Sequence, residues 1–95
     1  MTDDEAVAIL RDCAEHDSRL FFSKHAEERM LQRKITRLQV MTCLTKGKVV
    51  ESAYRDPKGD FRLTLEHYTA GSIVTAAVAI KLNDYASRTV VVTVY

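Results

Sequence analysis

The chain has 95 residues, 46% hydrophobic and 28% charged, with three Gly and one Pro. That is one folded domain over 1–95: too short for two, too apolar for disorder, and too poor in Gly and Pro for collagen-like or low-complexity material. The formal net charge of +1 conceals a split, because residues 1–17 carry six acids against Arg11 while residues 18–48 carry eight bases against Glu27 and Glu28.

In chain order, Thr2 and Glu5 have capping-box spacing, and Ala6, Ile9, Leu10 and Cys13 repeat at helical period, which predicts an acidic helix over about 3–16. Thr2-Asp3-Asp4-Glu5 is acidic where a signal peptide is basic. The longest uncharged apolar run, Ile73 to Ile80, falls short of the roughly 20 residues of a membrane span, so a cytoplasmic chain without membrane contact is expected. Leu20-Phe21-Phe22 reads as a short apolar link. Ser23 caps a predicted helix over 24–34, and Thr36 with Gln39 opens another over 37–46, ended by Gly47 in a left-handed conformation. The period then changes to two. Strands are predicted from Val49 to about Arg55, from Phe61 to Tyr68, from Ser72 to Leu82 and from Arg88 to Tyr95, with turns at 56–60, 69–71 and 83–86. The expected fold is α+β: three N-terminal helices packed on a four-stranded antiparallel meander. Core candidates include Leu63, Leu65, Val78, Ile80, Val92 and Val94, with the inward parity of the two apolar strands left open. Cys13 and Cys43 sit on helical apolar stripes and are expected as reduced core thiols.

Two constellations carry candidate chemistry. His25, Arg29 and Arg33 follow at i, i+4 and i+8, so they share one helical stripe, next to Lys24. Guanidinium forks suit phosphate oxygens, and a His side chain exchanges protons near neutral pH. RNA cleavage by internal transfer needs a base, a cation for the phosphorane and an acid. The plainer reading is a helix whose arginines pair with Glu51, Glu66 or the acidic first helix. The second constellation is the polar strand face Arg62, Thr64, Glu66 and Tyr68, joined by Tyr95 at the chain end. No zinc-type pair, His-Glu-x-x-His or Gly-rich phosphate loop occurs, so no metal and no cofactor are expected.

The run Ser23-x-His25-Ala26-x-x-Arg29-Met30-x-x-Arg33-x-Ile35, followed by Val40 to Leu44, Gly47-x-Val49, Gly59 to Leu65 and the Val91-Val92-Thr93-Val94-Tyr95 ending, resembles domain-of-unknown-function family 4258. The resemblance covers about residues 20–95 and leaves the first helix as an addition. The helix-then-sheet order is similar to that of RelE-like ribonuclease toxins, BrnT in particular, which pair with an antitoxin; that step is an analogy of fold. It implies a toxin-type, metal-independent ribonuclease or RNA-binding protein, with His25, Arg29, Arg62 and Glu66 catalytic, and with Lys24, Arg33, Tyr68 and Tyr95 holding substrate. RNA or the ribosome, and an antitoxin or other protein, are the implied partners. The alternatives are a non-catalytic binding protein that docks on a protein or nucleic acid, and a purely structural His/Arg motif. The acidic first helix is a candidate mask for the basic stripe.

Overall fold

Thr2 caps α1 (Asp3–Glu15) in a complete capping box, with its hydroxyl accepting from the Glu5 amide. The arrangement is seen in a computed structural model of the chain, which describes residues 1–16, 19–69, 71–82 and 87–95. Ser23 caps α2 (Lys24–Arg33), and Thr36 with Gln39 forms a second box at α3 (Arg37–Lys46). These caps satisfy amides that the first helical turn leaves without partners, and they set all three helix starts where the residue spacing places them.

The sheet corrects two expectations. It has five strands rather than four, and it is mixed rather than wholly antiparallel. The added strand is β1 (Leu20–Phe22), the segment expected only as a link, and it pairs parallel with β5 (Ser87–Val94). β2 (Lys48–Arg55), β3 (Phe61–Thr69), β4 (Ser72–Leu82) and β5 form the expected meander, giving the spatial order β1-β5-β4-β3-β2. The turn expected over 83–86 and the middle of the turn at 69–71 lie outside the described residues.

All three helices cover one sheet face. Ala6 and Leu10 of α1, Ala26 of α2, and Val40, Cys43 and Leu44 of α3 meet Leu63, Leu65, Val74, Ala76, Val78, Ile80, Val91 and Val94 in one buried core. The expectation for Val92 is corrected by a bulge: the β4–β5 register shifts between Ala77 and Val78, so Val91 and Val94 both turn inward, and Val92 faces the open side. Gly47 is corrected as well. Its φ is −71°, so no left-handed turn requires glycine there. An added Cβ would instead lie 2.3 Å from the Cys43 carbonyl oxygen and 2.9 Å from that of Glu66. Glycine permits the last turn of α3 to press against β3. The left-handed residue is Lys34, which ends α2 at φ 57° and turns the chain into the α2–α3 corner.

α1 is no appendage. Besides its core residues, Arg11 Nε donates to the Thr45 carbonyl, and the Asp3 carboxylate accepts from the Ala53 amide. Among the described residues, no helix is long and apolar enough to cross a membrane.

Candidate functional site

The Ser23 amide donates to the Val91 carbonyl and the Ser23 hydroxyl to that of Val92. β1 stops opposite Val91, so the last residues of β5 have no strand on that side. α2 takes its place: Arg29 Nε donates to the Val94 carbonyl at 3.3 Å, and an Arg29 Nη lies 3.5 Å from Gln32 Oε1. Arg29 is thus half-buried along the β5 edge, one residue from Tyr95. Lys24, His25 and Arg33 are exposed on α2. Among the described residues none of these three has a hydrogen-bond or ion-pair partner. The first helix is committed elsewhere: Asp12 pairs with Arg19 at 2.6 Å and Glu5 caps its own helix. No described carboxylate of α1 pairs with the stripe, so masking by ion pairing is absent among the described residues.

The second group lies on the open sheet face. Cross-strand register brings Arg62 opposite Ala79 and Tyr54, Thr64 opposite Ala77 and Glu51, and Glu66 opposite Thr75 and Lys48. The Tyr95 amide donates to the Thr75 carbonyl, which sets Tyr95 across β4 from Glu66. A hollow of about 120 Å3 is lined by Glu51, Tyr54, Arg62, Thr64, Thr93 and Tyr95, over a floor that includes Ala77. Tyr68 is exposed further along the same face, opposite Ile73. The hollow is not lined by His25, Arg29 or Arg33, so the helix stripe and the sheet hollow are two surfaces that meet near the end of β5.

Arg62 has a partner that the residue pattern did not reveal. Its Nε donates to Asp56 Oδ2 at 2.8 Å, and the Asp56 side chain is nearly buried. The other Asp56 oxygen accepts from the amides of Lys58 and Asp60. Asp56 therefore organises the whole β2–β3 turn and anchors Arg62 to it. The Arg62 hydrogen bond, chiefly, holds the Asp56 carboxyl below its ordinary range, against the opposing effect of burial. Asp60 in turn binds Lys81 at 2.9 Å. Sequence reasoning gave Glu51 only as an ion-pair partner for the arginines and gave Tyr54 and Thr93 no part in the site, yet all three line the hollow. Register shifts in β2 on either side of Glu51 hide its alternation, and the β5 bulge re-aims Thr93. Among the described residues no group of three His, Cys, Asp or Glu side chains gathers as a metal site.

No curated protein and no solved structure matches the chain. A family description, domain of unknown function DUF4258, matches residues 22–95, which begins at the last residue of β1, takes in the α2 stripe and the entire open face, and leaves α1 outside. On the strength of that match over most of its length, the chain belongs to the DUF4258 family.

Proposed function

We propose that this chain is a cytoplasmic RNA-binding protein of the RelE/BrnT-like toxin class, which holds phosphates along Lys24, His25, Arg29 and Arg33. The observation that carries this reading is that the stripe is unspent. Lys24, His25 and Arg33 are exposed, and no described carboxylate neutralises them. Arg29 is held in place by a neutral carbonyl, which leaves its charge uncompensated. Cations fixed on one helical stripe bind a polyanion by displacing its counterions, so affinity falls steeply with salt.

Cleavage is the finer step. His25 takes the 2′-hydroxyl proton, the freed oxygen bonds to phosphorus as the P–O5′ bond breaks, and the departing 5′-oxygen takes its proton from water. Arg29 and Arg33 neutralise the phosphorane; Arg62 and Glu66, expected as catalytic, lie on the open face apart from His25, and there with Tyr68 and Tyr95 they hold the flanking nucleotides. The second reading is a non-catalytic binding protein. It is favoured by the separation of the stripe from the hollow that Arg62 lines.

The test is binding of single-stranded RNA across a salt series. The expected result is a linear fall of log affinity with log salt, whose slope drops by about one for each of Lys24→Ala and Arg33→Ala. A slope unchanged in both variants defeats the proposal. Free RNA in EDTA and ribosome-bound RNA in magnesium buffer, each incubated with wild type and His25→Ala, separate the two readings. Cleavage lost only in the variant favours the nuclease, and binding without cleavage favours the docking protein.

A further inference from the structure

On the flank of α2 opposite the stripe lies a second surface. At roughly 100° per residue, Glu27 and Leu31 project about half a turn away from His25, Arg29 and Arg33. With Phe22, Met30, Ile35 and Arg37 they line an open hollow of about 330 Å3 in the corner between β1, α2 and α3. Four of its six lining residues are apolar, and one of them, Leu31, is 81% exposed; Leu38, in the first turn of α3 beside Arg37, is 72% exposed. A leucine this open on the wall of an apolar hollow has the character of a binding patch rather than of a scattered surface residue. Glu27 and Arg37 in the lining offset one another, and Lys34, at the end of α2, makes the corner net cationic. Arg37 stacks over the Phe22 ring at 4.7 Å, and Lys34 stands exposed in its left-handed position. Among the described residues neither has a carboxylate partner. β1 is also an edge strand, so no strand of the sheet covers this side.

We infer that this corner docks an acidic amphipathic helix of a partner protein, with its apolar side chains against Phe22, Met30, Leu31 and Ile35 and its carboxylates against Lys34 and Arg37. Charge complementarity selects an acidic occupant. The chain's own acidic helix is excluded, because α1 spends its apolar side, Ala6, Leu10, Cys13 and Ala14, on the core and has none left to offer a second copy. An amphipathic helix laid in a groove through side chains at i, i+3, i+4 and i+7 is an established way to fill such a corner. The inference is independent of the RNA-binding proposal, since the two surfaces occupy opposite flanks of α2.

The test uses the full chain and a fluorescent synthetic helix with leucine on one face and glutamate on the other. Two controls carry lysine in place of glutamate, or serine in place of leucine. The acidic leucine peptide is expected to bind saturably. Leu31→Glu and Arg37→Glu each weaken it tenfold or more, while RNA binding by Leu31→Glu stays as in wild type. Both residues are exposed, so circular dichroism of the variants should match wild type. Amide shifts on titration should cluster at Phe22, Met30, Leu31, Ile35 and Arg37. The inference is overturned if the acidic peptide does not bind, if the lysine peptide binds as tightly, if Leu31→Glu has no effect, or if the shifts cluster elsewhere. It is equally overturned if wild type sediments as a dimer that Leu31→Glu dissociates, because the occupant is then a second copy.

Discussion

Asp56 shows how one side chain does several things at once. Its two oxygens bind two turn amides and the Arg62 guanidinium, and its own amide donates to the Asp60 carbonyl. Because the folded protein holds this carboxyl below its ordinary 3.8, the unfolded chain binds the proton first as pH falls. Its contribution to stability is therefore complete above that ordinary value and is lost as pH drops through the lower folded value. Asp56→Asn keeps an acceptor for the amides but removes the charge beside Arg62. The variant is expected to melt below wild type at pH 7, with the gap closing in acid; parallel melting curves from pH 7 to pH 2 would refute this. Gly47 carries a second prediction. The contacts that an added Cβ would make are to backbone oxygens, which cannot swing aside. Gly47→Ala should cost more than about 1 kcal/mol in urea unfolding, unlike a glycine whose only demand is conformational freedom.

Elements that announce themselves by period and cap were legible. All three helices begin where Thr2, Ser23 and Thr36 place them, and the hairpin turn at 56–60 lies where its Asp, Pro and Gly cluster. What stayed hidden was set by pairing. Three apolar residues in a row have no period, so β1 is a strand only because β5 offers it an edge. A bulge shifts inward parity by one, which no reading of alternating valines reveals, and so Val91 took the place expected for Val92. The candidate site divides along the same line. Helical arithmetic placed His25, Arg29 and Arg33 on one stripe, yet only the β5 edge fixes Arg29, and only the turn captures Arg62. The strand phase of β3 was readable, with Leu63 and Leu65 inward and Arg62, Thr64 and Glu66 opposite them. Leu65 is fully buried, so Leu65→Ala should cost about 2–5 kcal/mol by leaving a cavity; a loss under about 1 kcal/mol would contradict the inward placement.

At the scale of the whole molecule, the family match and the folding unit do not coincide. The match begins at residue 22, but the core begins at Ala6 and Leu10, both fully buried against the sheet. Removing α1 would uncover the apolar side of α3 and the inner face of the sheet together. It would also leave the Thr45 carbonyl and the Ala53 amide without the partners that Arg11 and Asp3 supply. A chain starting at Arg19 should therefore lose cooperative unfolding, whereas a chain whose first helix merely masked the stripe would keep it. Cys43 supplies the readout. It is fully buried beneath α1 and the sheet, and burial pushes its thiol from an ordinary 9.0 up to about 11. A protonated, inaccessible thiol is inert, so in the full chain at pH 8 it should react with a disulfide reagent only through opening of the core. Its labelling should quicken with urea in step with the unfolding transition, and in the shortened chain it should be immediate without urea. Slow labelling of Cys43 in a shortened chain that still melts cooperatively would show that residues 19–95 fold alone, and would return α1 to the role of an addition.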